Sequence, residues 1–97
     1  MFARLLIIQT ETKRIDEASM LFEESVIPLC KYKKGYKGAN FLADRKTGKC
    51  IFFTQWESEE DMLATEQSRF FQEQVVKFIG FFTKNPIREA YEVILED

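Results

Sequence analysis

Along almost the whole chain, apolar residues either alternate with a period of two or recur at three- and four-residue steps. The first pattern marks strands and the second marks helices. Phe2 to Thr10 predicts a strand, with Leu5, Ile7 and Gln9 on one face and Leu6, Ile8 and Thr10 on the other. Both faces are largely apolar, so both should be covered. Residues 13–33 predict a helix through the stripe Ile15, Ala18, Phe22, Val26, Leu29 and Cys30. Pro28 lacks an N–H and should kink it, and Gly35 is a stop signal. Tyr36 to Asp44 predicts a second strand, Arg45-Lys46-Thr47-Gly48 a hairpin connection, and Lys49 to Glu57 a third strand. In that third strand Ile51 and Phe53 face one way, and Cys50, Phe52 and Trp56 the other. Ser58 is a good N-cap, followed by Glu59, Glu60 and Asp61 in the favourable first turn. Met62, Leu63, Phe70, Val75, Phe78, Ile79 and Phe82 continue at roughly helical spacing, with Thr65-Glu66-Gln67-Ser68 as a potential break. Asn85-Pro86 signals a turn, and Arg88 to Leu95 a last strand.

The resulting order, β-α-β-β-α-β, predicts an α+β domain spanning residues 1–97, with a ferredoxin-like antiparallel sheet and the helices on one face. Helices on one face leave the other bare. Because the strands are apolar on both sides, that bare face should be an aggregation hazard unless something covers it. A second copy pressed sheet to sheet is the economical cover, so a homodimer is expected.

Composition sharpens this picture at three points. First, ten Phe in 97 residues demand a core, a pocket or an interface to absorb their apolar area. Second, the formal net charge is −2 with the signs interspersed. No basic stripe points to nucleic acid, and no apolar run is long enough for a membrane span or a leader peptide. The cluster Lys31, Lys33, Lys34 and Lys37 reads as a solvated helix end or, alternatively, a phosphate site. Third, the chain has no His, and its two Cys do not form a zinc spacing. No metal and no cofactor are therefore expected. The two thiols suit a reduced, cytoplasmic protein.

The segment Gly35-Tyr36-Lys37-Gly38-Ala39-Asn40-Phe41-Leu42-Ala43-Asp44, then Thr47-Gly48-Lys49 and Gln55-Trp56-Glu57-Ser58-Glu59-Glu60, resembles the antibiotic biosynthesis monooxygenase superfamily. The likeness runs to Tyr91-Glu92-Val93 in the last strand. It implies a dimeric α/β barrel, with the two sheets facing one another and a pocket between sheet and helices in each subunit. Family members include cofactor-independent oxygenases of quinols and aromatic polyketides, and haem-degrading relatives that bind iron through a His on the second helix. This chain carries no such His. Oxygenase members often place an Asn or His beside the Trp; here Phe52 lies four residues before Trp56, and Asn40 stands on the neighbouring strand.

The resemblance and the residues together nominate a site for a small aromatic. Trp56 would stack on a flat substrate, or else anchor the core at the helix start. Asn40 would donate a hydrogen bond to a substrate oxygen, approaching Trp56 across the hairpin, or else lie on an exposed strand face. Tyr36, Arg88 and Tyr91 would bind a phenol or quinone oxygen, or else sit at a rim or interface. Thr54, like Arg4 and Gln9, interrupts an apolar strand and could line a cavity or a solvated edge. Phe78, with Phe70, Phe71, Phe81 and Phe82, would be helical core or the apolar lid of a pocket. The expected activity is cofactor-independent oxygenation of a quinol or related aromatic. The alternative is a non-catalytic ligand-binding or structural dimer.

Overall fold

The computed structural model describes residues 1–97. Four strands form one antiparallel sheet: β1 (Phe2–Gln9), β2 (Tyr36–Ala43), β3 (Lys49–Trp56) and β4 (Ile87–Glu92). Their spatial order is β2-β3-β1-β4, the order of the ferredoxin-like fold. The central strands β1 and β3 pair along their whole length, from Phe2 opposite Trp56 to Gln9 opposite Lys49. β2 and β4 are the edges.

The strand alternation read from the sequence holds. Residues directly opposite each other share a face, so one face carries Leu6, Phe52, Phe41 and Arg88 as a row, and the next row Arg4, Thr54, Ala39 and Ala90. The helices cover this face, and Leu6, Ile8, Cys50, Phe52 and Trp56 are buried there. The opposite face carries Leu42, Ile51, Ile7 and Ile87 as one row and Asn40, Phe53, Leu5 and Glu89 as the next. No element of the chain packs over that face, and Leu42 and Ile87 are about half exposed, at 49% and 54%.

The first helical stretch is not one regular helix. A 3-10 turn (Thr12–Arg14) leads into α1 (Ile15–Leu21), a π-helical turn (Phe22–Val26) and a short α2 (Ile27–Cys30). The π turn stands where the Pro28 kink was expected: Pro28 has no N–H to return to the Glu24 carbonyl, and the turn widens instead. Lys77 Nζ donates to the Ser25 carbonyl and to Ser25 Oγ, both at 3.0 Å, tying the wide turn to the second helical stretch. The widening also rotates Leu29 out of the apolar stripe, to 43% exposure. Ile15, Ala18, Phe22, Val26 and Cys30 keep the buried face.

Both turn glycines have φ of +83°, a region open to glycine and strained for other residues. Gly48 closes the β2–β3 hairpin, where a Cβ would collide with the Thr10 carbonyl. Gly35 ends the first helical stretch and lies against Asp61, and its carbonyl accepts from Glu57 N at 2.7 Å.

After β3, Ser58 caps α3 (Glu59–Gln67), its Oγ accepting from Asp61 N at 3.1 Å. The polar stretch does break the helix. Arg69 adopts φ +70°, and a new segment, α4 (Phe70–Val75), continues as a 3-10 turn (Val76–Phe81). That change of direction brings Phe70, Phe78 and Phe81 into the core with Phe22 and Phe52. β4 stops at Glu92, short of the expected Leu95, and Ile94 and Leu95 are left 82% and 85% exposed.

Candidate functional site

Between the helix-covered face of the sheet and the helices lies a cavity of about 60 Å³. β1 contributes Arg4 and Leu6, and β3 contributes Phe52, Thr54 and Trp56. Phe22, Val26 and Cys30 come from the first helical stretch. Thr65, Phe70, Phe71, Gln74, Val75 and Phe78 come from the second. Six of the fourteen wall residues are aromatic. Phe52 sits at the centre of a ring cluster, 4.9 Å from Phe22, 4.6 Å from Phe78 and 5.2 Å from Phe41 between centroids.

Trp56 is 3% exposed, and its indole N–H donates to Thr54 Oγ1 at 3.0 Å. Its partner is therefore a side-chain hydroxyl two residues back rather than a backbone carbonyl. The bond holds both residues to the pocket side of β3. Tyr36 stands directly opposite Trp56 and meets it edge-on, with centroids 5.7 Å apart and planes at 73°. Tyr36 thus backs the tryptophan instead of lining the cavity, and burial pushes its phenol up.

Three of the nominated residues lie elsewhere. Asn40 pairs with Phe53, whose side chain is on the bare face, and so Asn40 is exposed on the side of the sheet opposite Trp56. The expected approach of Asn40 and Trp56 does not occur, because an odd offset along β3 reverses the face. Tyr91 is also on the bare face, opposite Ala3, with its hydroxyl donating to Glu89 Oε1 at 3.0 Å. That bond raises its pKa. Arg88 is on the helix side, opposite Leu6, but half exposed at the edge strand.

Two polar residues complete the wall: Arg4, for which a cavity wall was one of the two expected places, and Gln74, which the sequence did not single out. Arg4 is 8% exposed. Its Nη2 donates to Glu66 Oε2 in a close ion pair, and Nη1 reaches the Glu89 carbonyl at 3.3 Å. Arg88 Nη1 meets the other Glu66 oxygen at 2.9 Å, so one carboxylate bridges two guanidinium groups. Both guanidiniums lie over the Phe71 ring, at 5.6 and 5.9 Å. Gln74, 9% exposed, faces the cavity from α4. Arg4 was visible as a polar interruption of β1. Gln74 and Glu66 carry no comparable signal, since a polar residue in a helix reads as solvated. The Cys30 thiol, also on the wall, is pushed up to about 11 by burial. Cys30 and Cys50 are both free and buried.

The fold matches solved structures along its full length. An antibiotic biosynthesis monooxygenase superposes with a TM-score of 0.72 at 12% identity, over 98% of this chain and 100% of its own. Rv0793 of Mycobacterium tuberculosis gives 0.74 at 10% identity, over 98% and 96%. A monooxygenase from the gene ActVA-Orf6 of Streptomyces coelicolor, solved in complex with the ligand Nanaomycin D, gives 0.70 at 16% identity, over 99% and 92%. The chain therefore has the α+β ferredoxin-like fold of the antibiotic biosynthesis monooxygenases. Among curated proteins it is similar to the uncharacterized proteins MT2634 and Rv2557 of Mycobacterium tuberculosis, each 32% identical over 66 residues. That stretch is 68% of this chain, and the chain spans 30% of the length of these relatives. No family model matches it.

Proposed function

We propose that this chain is an oxygenase of the antibiotic biosynthesis monooxygenase type, taking a small quinol or phenol into the cavity behind Trp56 without a cofactor. The observation that carries this reading is the cavity itself. It lies between sheet and helices, walled by Phe22, Phe52, Trp56, Phe70, Phe71 and Phe78, and supplied with one buried guanidinium. In such a reaction one atom of dioxygen enters the ring and the other leaves as water, with the substrate supplying the electrons. The protein binds and orients the ring, excludes water, and places a positive charge where a phenolate oxygen forms. Trp56 and Phe78 form walls, Thr54 fixes the indole, and Arg4 takes the anion-facing role first considered for Arg88, Tyr36 and Tyr91. Oxygen uptake by the purified protein with a panel of quinols tests the proposal. Uptake no faster than in buffer across the panel would sink it.

One observation favours a second reading, a ligand binder without turnover. The cavity is about 60 Å³, well below the roughly 150 Å³ of an apolar cavity that holds benzene. A ring enters only if side chains of α4 and the 3-10 turn move aside. Ligand-dependent thermal stabilisation with no oxygen uptake would select this reading.

In either case we propose a homodimer closed through the bare sheet face. Leu5, Ile7, Ile51 and Phe53, only partly buried, are flanked there by the exposed Leu42 and Ile87. An obligate interface would bury roughly 1,600 Å² or more in total. Light scattering at micromolar concentration that returned the 11.5 kDa of a single chain would rule it out. No helix is long and apolar enough to cross a membrane, and two free buried thiols support a cytoplasmic setting.

A further inference from the structure

The walls of the cavity are not equally well held. Its floor is β1 and β3, the central strands, which pair along their whole length. Its roof is α4 and the 3-10 turn, which supply Phe70, Phe71, Gln74, Val75 and Phe78. These two pieces have six residues each, too few to be stable helices by themselves, and α4 starts without a side-chain cap. The residue before α4, Arg69, is exposed and holds φ +70°, a strained conformation for a side chain of this kind. Of four buried side-chain polar atoms without a hydrogen-bond partner, two belong to α4, Gln72 Oε1 and Gln74 Oε1. An unpaired buried acceptor costs stability. Backbone strain and unmet acceptors thus both weaken the roof in its closed position.

One side chain opposes them. Lys77 Nζ donates to the Ser25 carbonyl and to Ser25 Oγ, both at 3.0 Å, and ties the roof to the π-helical turn beside it. Lys33 Nζ adds a contact over the Phe70 ring at 4.4 Å. Beyond Ile79 the chain is pinned: Arg14 Nη1 donates to the Gly80 carbonyl at 2.8 Å, and Thr83 N to the Gln9 carbonyl at 2.8 Å.

We infer that residues 70–79 form a lid over the cavity, hinged at Arg69 and latched by Lys77 on the carbonyl and hydroxyl of Ser25. Opening relaxes Arg69 and gives the Gln72 and Gln74 acceptors to water, while the sheet stays intact. Such local opening occurs far more often than unfolding of the whole domain. The lid stands apart from the oxygenase reading and serves a ligand binder equally.

The two free thiols provide a test that needs no ligand. Cys30 is part of the cavity wall, whereas Cys50, on β3, is completely buried outside it. Labelling of the full chain with N-ethylmaleimide is followed at each cysteine by peptide mass spectrometry. Cys30 should label faster than Cys50, at a rate nearly constant between 0 and 1 M urea, because lid opening exposes little surface. Labelling of Cys50 requires unfolding and should accelerate by about tenfold per molar urea. Lys77→Met should speed Cys30 labelling by about tenfold, near the low end for a hydrogen bond to a charged group. The ammonium of Lys77 draws the Cys30 pKa down, so its removal by itself makes the thiol less reactive, and an acceleration therefore reports opening. Ser25→Ala, which removes one of the two acceptors, should give a smaller acceleration, and it carries the test if thermal melting shows Lys77→Met unfolded. Cys30 labelling that rises with urea as steeply as that of Cys50, or that is unchanged in the folded latch variants, overturns the inference.

Discussion

Phe78 connects the stability of the domain to the size of its cavity, and Phe78→Ala tests both. The ring is 2% exposed, packs 4.6 Å from Phe52 and 6.0 Å from Phe81, and forms part of the cavity wall. Removing it forfeits the transfer energy of the ring and opens space that the tightly packed neighbours only partly refill. Such truncations cost about 3–5 kcal/mol, a large part of the roughly 5–15 kcal/mol that holds a domain folded. For a chain of this length each kcal/mol moves the melting temperature by about 4–8 °C, so a fall of roughly 20–30 °C is expected. The vacated ring volume adds to the existing cavity, which should then accept an apolar ring. Toluene at about 100 times its dissociation constant should restore about 2.7 kcal/mol to the variant. Urea denaturation with and without toluene measures both quantities. A loss below about 1 kcal/mol would mean that Phe78 is not a packed wall. A full loss without rescue would mean that the space collapses instead of joining the cavity.

Glu66→Gln should cost about 2–4 kcal/mol, because it leaves the Arg4 guanidinium buried at 9% side-chain exposure without a counter-charge. Arg88→Gln, at 52% exposure, should cost less than about 1 kcal/mol, and chemical denaturation of the two variants makes the comparison. The Cys30 thiol, raised from 9.0 to about 11, is favoured in its neutral form by the fold. Its contribution is complete below pH 9 and is lost as the pH rises towards 11. The stability of the unaltered protein should fall over that window more steeply than that of Cys30→Ala, as read by denaturant midpoints. Ile51→Asp, on the bare face of β3, should convert a sheet-to-sheet dimer to a folded monomer by light scattering, while leaving the helix-covered cavity in place.

Local chemistry made most of the fold legible. The period-two alternation assigns Leu6 and Ile8 to one face of β1, and Leu5 and Ile7 to the other, whatever surrounds the strand. Ser58 caps a helix because its hydroxyl reaches an N–H three residues on, and Gly48 closes a hairpin because its φ is positive. Trp56 and Thr54 stood out as candidate wall residues for a related reason: the first ends and the second interrupts the apolar pattern of β3, while Phe78 merely continued a helical stripe.

What the sequence could not decide depends on parity and on distance. Asn40 and Trp56 stand on adjacent strands of one hairpin, yet the register that sets Asn40 against Phe53 sends them to opposite faces. A slip of one residue would have put them on the same face, and single-strand patterning carries no record of that choice. The wide turn before Pro28 and the left-handed Arg69 likewise reset the helix faces, exposing Leu29 and turning Phe70 inward. Arg4 and Gln74 are separated by most of the chain and meet one cavity only because α4 folds back over β1. Period and capping belong to short segments and can be read in one dimension. Register, helix direction and the meeting of distant residues at one cavity come from packing, and only the tertiary structure decides them.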